Sequence, residues 1–177
     1  MNRNVEELAA LAVDCGLRLH RELGPGLLES VYETVLAASL AKAGVQVERQ
    51  KPINFTFDGM VFTRAFTMDL FFDDLLVIEI KSTEVMAKVH GKQLLTYLRL
   101  ADRPLGLLMN FGAATFREGV RRVVNRHTNF ASSRLRVHNS GEVEETRSGW
   151  DEFFDSPPCP DFPDRGPQGE YEIRESF

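Results

Sequence analysis

Cysteine is scarce. The 177-residue chain has two, Cys15 and Cys159, far apart, with no CxxC and no Cys/His spacing. That excludes a disulfide framework, argues against a structural zinc site and fits a reducing compartment. No apolar run approaches the roughly 18 residues that a membrane-spanning helix needs. The opening Met-Asn-Arg-Asn-Val-Glu-Glu has no apolar signal core. A cytoplasmic protein without membrane attachment is the expectation. Internal repeats are absent too. Strong net charge is also missing, but the total of -5 hides a division. Residues 1–126 carry +1 and residues 127–177 carry -6. A near-neutral body neither demands nor excludes nucleic acid, because binding needs a local basic face rather than a basic total.

What is present suits one packed domain with an appendage. The hydrophobic fraction of 43% is that of a globular chain, so wholesale disorder is excluded. Residues 127–177 differ from the rest. Five of the eight prolines lie there, at Pro157, Pro158, Pro160, Pro163 and Pro167. The expected division is a domain over 1–126 and an acidic, proline-rich extension over 127–177 with little structure of its own. Within it, Trp150, Phe153 and Phe154 form a candidate docking element that Pro157 and Pro158 would terminate.

The body reads as α/β. Asn4 can cap a first helix with Glu7 at the capping-box position. Leu8, Leu11, Ala12, Cys15 and Leu19 then recur at helical spacing. Leu23-Gly24-Pro25-Gly26 breaks that helix. A second is expected over 27–43, with Val31, Val35 and Leu36 among its apolar positions and Gly44 as its stop. Strands over 45–57 and 60–72 flank Asp58-Gly59, a strong hairpin signal. Pro52 argues that the first of them lies at a sheet edge. A third strand is expected over 75–81, a helix over 85–101 with Leu94, Leu95 and Leu98 in the core, a strand over 105–111 and a last strand over 120–124.

Polar residues inside apolar strands are the informative ones. Leu75-Leu76-Val77-Ile78-Glu79-Ile80-Lys81 puts Glu79 and Lys81 on one strand face. Asp69 likewise sits alone among Met68, Leu70, Phe71 and Phe72. Buried charge is costly unless paired or bound to a metal. Two carboxylates and a lysine on adjacent strands suit a hard divalent cation, since Mg²⁺ takes one or two carboxylates plus water and phosphate oxygens. An isolated ExK reads more readily as a Glu79–Lys81 or Asp69–Lys81 ion pair at a sheet rim. It has company: Glu29 and Tyr32 at i, i+3, and Gln93 and Tyr97 at i, i+4. His20, before the glycine turn, reads as structural.

Gly26-Leu27-Leu28-Glu29-Ser30-Val31-Tyr32 resembles the signature of the GxxExxY protein family, a branch of the PD-(D/E)XK nuclease-like superfamily. The resemblance continues through Asp69, Glu79-Ile80-Lys81, His90-Gly91-Lys92-Gln93-Leu94-Leu95-Thr96-Tyr97-Leu98 and Leu107-Leu108-Met109-Asn110-Phe111-Gly112. It covers about residues 5–126, in the expected order. Met68 stands where the family pattern usually has a small residue. The resemblance implies a restriction-endonuclease-like αβββαβ core with a mixed central sheet, here with an extra N-terminal helix. It implies a metal-dependent nuclease hydrolysing phosphodiester bonds, with DNA as the expected substrate. Asp69, Glu79 and the Ile80 carbonyl would bind Mg²⁺ or Mn²⁺. Lys81 would orient or activate water and balance phosphate charge, Glu29 would assist the metal or water, and Gln93 would hold water, Lys81 or phosphate. Tyr32, His90 and Tyr97 would support these residues.

Lys88, Lys92, Arg99, Arg117, Arg121 and Arg122 could supply a basic face for phosphate contacts. The competing reading is a nucleic-acid-binding or protein-interaction module without turnover. No separate recognition domain is visible, so targeting would depend on a protein partner or on dimerisation. One geometric condition follows from the metal reading. A two-residue turn at Asp73-Asp74 would pair Asp69 with Ile78 and send Glu79 to the opposite face. An odd-length loop, or a bulge between 69 and 72, is therefore required; pairing Phe71 with Leu75, which sets Asp69 opposite Val77, is one such register.

Overall fold

The computed structural model describes residues 3–125. The 127–177 extension and its Trp150, Phe153 and Phe154 cluster lie outside the described residues. The first helix, α1 (Val5–Leu23), begins as its sequence dictates. Asn4 accepts from the Glu7 N–H and the Glu7 carboxylate accepts from the Asn4 N–H, each at 2.9 Å. The second, α2 (Glu29–Lys42), starts later than expected, at an N-cap, Leu28, that makes no side-chain cap. Its entry is fixed instead by Tyr32. The Tyr32 hydroxyl donates to the Gly24 carbonyl and accepts from the Leu27 N–H. Val31 is exposed, whereas Glu33 is buried.

Strands β1 (Val47–Phe57) and β2 (Met60–Phe72) form the expected hairpin. Asp58 and Gly59 both take positive φ, the requirement of a two-residue turn that matches strand twist. Then follow β3 (Leu76–Lys81), α3 (Lys88–Ala101), β4 (Leu105–Asn110), a single-turn helix α4 (Phe116–Gly119) that the sequence reading did not anticipate, and β5 (Val120–Val124). The sheet order is β1-β2-β3-β4-β5. Only β3 and β4 run parallel, joined through α3, so the sheet is mixed, as expected. Pro52 does lie in an edge strand.

Two cores sandwich the sheet. Leu11, Cys15, Leu19, Leu36, Leu70, Ile78, Ile80 and Leu107 pack on the face covered by α1 and α2. Met68, Phe71, Val77, Leu94, Leu95, Leu98 and Leu108 pack on the face covered by α3. Strands β3 and β4 are thus covered on both sides, which explains their continuous apolar runs. Each such side chain contributes about 1.5–3 kcal/mol on burial. Among the described residues no helix is long and apolar enough to cross a membrane.

Past Lys81 the β3–β4 pairing is continued by a side chain. Asn110, 1% exposed, accepts from the Thr83 N–H at 2.9 Å and donates to the Thr83 carbonyl at 2.7 Å. The same amide oxygen accepts from the Gly112 N–H. A Cβ at Gly112 would lie 2.6 Å from the Thr83 backbone, so only glycine allows this closeness. The clasp fixes the chain just beyond Lys81. We predict that Asn110→Leu, which keeps volume but leaves these backbone groups unpaired, lowers unfolding free energy by roughly 1–3 kcal/mol in a denaturant titration. An unchanged midpoint would show that the clasp contributes nothing.

Candidate active site

The loop joining β2 to β3 decides whether a site exists. Phe72 pairs with Leu76, Phe71 with Val77 and Leu70 with Ile78. The loop therefore spans residues 73–75, an odd length, with Asp73 and Asp74 both at positive φ. The register differs by two residues from the Phe71–Leu75 pairing, so it keeps the same parity and meets the same condition. Continued one step, it sets Asp69 across from Glu79. The pairing of Asp69 with Ile78 that would have separated the two acids does not occur.

At Asp69 the ladder gives way to side-chain bonding. The Asp69 Oδ2 accepts from the Ile80 N–H at 2.9 Å and its Oδ1 accepts from Gln50 Nε2 at 3.2 Å. Both strands of the β1–β2 hairpin kink here. Leu70 packs with α1 and α2, yet Met68, two residues away, packs with α3. Arg49 and Lys51 diverge in the same manner: Arg49 reaches Glu33 on α2, while Lys51 lies 4.0 Å above the Phe71 ring on the α3 side. Strict alternation would keep each pair on one face.

Lys81 Nζ donates to Glu79 Oε1 at 2.8 Å, and both side chains are largely buried. The other oxygen, Glu79 Oε2, is buried and finds no hydrogen-bond partner among the described residues. Burial pushes the Glu79 pKa up, and the nearby Asp69 charge pushes it further, against the Lys81 hydrogen bond. Burial also raises Asp69, opposed by the Ile80 N–H and the Lys81 charge. For Lys81, burial works against the charge, but the bond to Glu79 and the charges of Glu79, Glu29 and Asp69 outweigh it, and its pKa is raised. Lys81 thus relieves Glu79 in part, but desolvation and the Asp69 charge outweigh it. A hard cation would relieve both acids. No group of three or more His, Cys, Asp or Glu side chains poised for a metal occurs among the described residues. Two carboxylates and a backbone carbonyl nevertheless meet what Mg²⁺ requires, water and phosphate oxygens completing the shell.

The remaining sequence candidates divide. Glu29 accepts from the Ser82 N–H at 3.0 Å, directly after Lys81, and its charge is felt at Glu79 and Lys81. Tyr97 is half-buried, stacks on Phe66 with centroids 4.0 Å apart, and its hydroxyl takes the Gln93 amide as donor. Burial raises its pKa, and the charges of Glu79, Lys81 and Asp69 all reach it. His90, half-buried, shares that stripe of α3 at i−3 from Gln93 and i−7 from Tyr97. Tyr32 is not brought to the acids. It is fully buried, stacked on Phe111 at 4.4 Å, and fastens the turn that carries Leu27, whose carbonyl accepts from Ser82 Oγ. His20 is structural, as expected: it is buried against Phe111 and Phe116, bonded to the Ala113 carbonyl, and burial lowers its pKa.

The basic residues do not form one face. Lys88, Lys92 and Arg99 follow a stripe along α3. Arg121 caps the Glu118 and Val120 carbonyls, and Arg122 is paired with Glu6 on the α1 side; Arg117 belongs to α4. The sequence reading missed Gln50, which is bonded to Asp69, and Glu33, which is bonded to Gln50. Lys51 and Arg103 flank Phe71 and, with Asn54 and Met68, help line a cavity of about 300 Å³.

Compared with known families, residues 6–123 match the family model described as the PD-(D/E)XK nuclease superfamily. No curated protein and no solved structure matches the chain.

The raised acids generate a pH prediction. Asp69 and Glu79 bind protons more readily folded than unfolded, so stability falls as pH rises above the ordinary carboxylate range near about 4. Without metal, Asp69→Asn should match or exceed the wild-type melting temperature at pH 7, and the difference should close in favour of wild type as pH falls toward about 4. Equal destabilisation by Asp69→Asn at both pH values, in a thermal melt with chelator present, would contradict the desolvated-acid reading.

Proposed function

The chain belongs to the PD-(D/E)XK nuclease superfamily, and from that premise we propose that it is a cytoplasmic, metal-dependent nuclease of the GxxExxY type. It would hydrolyse phosphodiester bonds of nucleic acid, with DNA as the expected substrate and Mg²⁺ or Mn²⁺ as cofactor. The observation that carries this reading is Glu79 Oε2, buried and without a hydrogen-bond partner among the described residues, within electrostatic reach of a second desolvated acid, Asp69, with Lys81 clamped to the other oxygen. A module that only binds nucleic acid gains nothing from acids that repel phosphate and destabilise their own cleft.

Asp69, Glu79 and the Ile80 carbonyl would hold the cation. When bound, the cation supplies a Lewis acid for the phosphoryl oxygen and lowers the pKa of a coordinated water. Lys81, with its raised pKa, is protonated at neutral pH. It therefore donates a hydrogen bond to a phosphate oxygen or to the water and balances charge; it does not abstract the water's proton. Glu29 holds the strand end through Ser82 and adds negative charge at the mouth of the cleft. The Gln93 amide and Tyr97 hydroxyl form a pair that can orient water or phosphate. His90 supports their stripe of α3. Lys88, Lys92 and Arg99, which share α3, would follow a phosphate backbone along that helix, whereas Arg121 bonds to backbone carbonyls and Arg122 to Glu6.

The test is purified protein with Mg²⁺ or Mn²⁺ on a panel of DNA and RNA substrates. Asp69→Asn, Glu79→Gln and Lys81→Ala should each reduce cleavage by about 100-fold or more while remaining folded. Nucleic-acid binding without metal-stimulated cleavage would favour the binding-module reading. Equal cleavage by wild type and all three variants would identify a contaminant and end the assignment.

A further inference from the structure

Gln50 occupies a position where β1 departs from strand geometry. Its φ is +49°, in the left-handed region that residues with a Cβ enter at a cost. Its neighbours pair in register, Arg49 with Leu70 and Lys51 with Met68, while Gln50 and Asp69 drop out of the ladder between them. Gln50 remains exposed, but its amide reaches two carboxylates. Its Nε2 donates to Glu33 Oε2 at 2.7 Å and to Asp69 Oδ1 at 3.2 Å. Glu33, 6% exposed, is itself fixed, because Arg49 Nε donates to its other oxygen at 2.9 Å. Arg49 in turn donates to Thr34 Oγ1.

The chemistry of the bridge is specific. An amide NH₂ has two hydrogens and here gives one to each carboxylate. A second acid at position 50 would add repulsion, and an apolar side chain would offer no donor. Asp69 is thereby held at both oxygens, by Gln50 at Oδ1 and by the Ile80 N–H at Oδ2. Two bonds from different elements fix the rotation of the carboxylate plane, which one bond would leave free. The donor comes from a backbone strained to deliver it, and its anchor is a buried acid on α2.

We propose that Gln50, anchored by Glu33, is a positioning residue that sets the orientation of the Asp69 carboxylate opposite Glu79. The inference deepens the nuclease reading and rests on it for the purpose of the orientation, but the orientation can be measured without metal or substrate. Ile80 reports it, because its N–H is bonded to Asp69 rather than to strand backbone. Ile78, still within the ladder, is the control.

Amide hydrogen exchange by NMR on the metal-free full chain should show Ile80 exchanging at least about 10-fold faster in Gln50→Leu, with Ile78 changed less than about twofold. Calorimetric titration with Mn²⁺ should show affinity weakened by about 10-fold or more. Unchanged Ile80 exchange, or equal acceleration at Ile78, overturns the positioning role. If wild type fails to bind Mn²⁺, the nuclease reading falls, and Ile80 still decides the role of Gln50. Should Gln50→Leu fail to fold, Glu33→Gln replaces it. That variant keeps an acceptor for the amide but loses the charge that secures it, and faster exchange confined to Ile80 is again required.

Discussion

Asp69 and Glu79 are like charges held close together where water is scarce, and the rest of the site follows from that conflict. Left alone, two such acids would separate or take up a proton. The fold prevents separation by growing them from adjacent strands whose last registered pair, Leu70 with Ile78, immediately precedes them. It moderates the charge with neighbours: the Lys81 ammonium on Glu79, the Ile80 N–H and the Gln50 amide on Asp69. Among the described residues it leaves the acceptor Glu79 Oε2 unanswered. A buried acceptor without a donor is a standing cost, and a superfamily whose members are nucleases gives that cost a use.

The scaffolding that holds these groups is assembled at the ends of elements rather than in their middles. The end of β3 is pinned three ways, by Asn110 on Thr83, by Glu29 on the Ser82 N–H and by the Leu27 carbonyl on Ser82 Oγ. Leu27 belongs to a glycine turn fastened by Tyr32, and Tyr32 is locked by its stack on Phe111 in the core. Core packing is thereby transmitted to the residue that follows Lys81. The glutamate and the tyrosine of the Gly26–Tyr32 segment accordingly act on opposite sides of one joint: Glu29 toward the cleft, Tyr32 toward the core.

Much of the fold was legible because its signals are local. Asn4 and Glu7 announced α1, Asp58-Gly59 fixed the first hairpin, and Pro52 placed β1 at an edge. The parity of the β2–β3 loop was legible too, since two-residue alternation allows only odd connections if both acids are to meet. The start of α2 was misread because no capping side chain marks it; the constraint comes from Tyr32, which acts from within the helix. Single-turn α4 is too short to impose a period.

What escaped the sequence depends on backbone states and on long-range pairing. Gln50 is an exposed strand residue like its neighbours, and nothing local announces the left-handed φ that brings its amide to Glu33 and Asp69. Glu33 resembles a solvated helix charge, and only the approach of Arg49 and Gln50 explains its burial. Strand alternation in β5 already implies opposite faces for Arg121 and Arg122, whereas the pairing of Arg122 with Glu6, far away in sequence, could not be foreseen.

The central claim, that Asp69 and Glu79 share one divalent cation, is tested most directly by diffraction from crystals of the full chain equilibrated with Mn²⁺ and recorded at the manganese edge. The account predicts an anomalous peak between the two carboxylates, within bonding distance of both and of the Ile80 carbonyl, and no such peak in Glu79→Gln. A saturated Mn²⁺ crystal with no peak there, or with its peak bound by other residues, would contradict it.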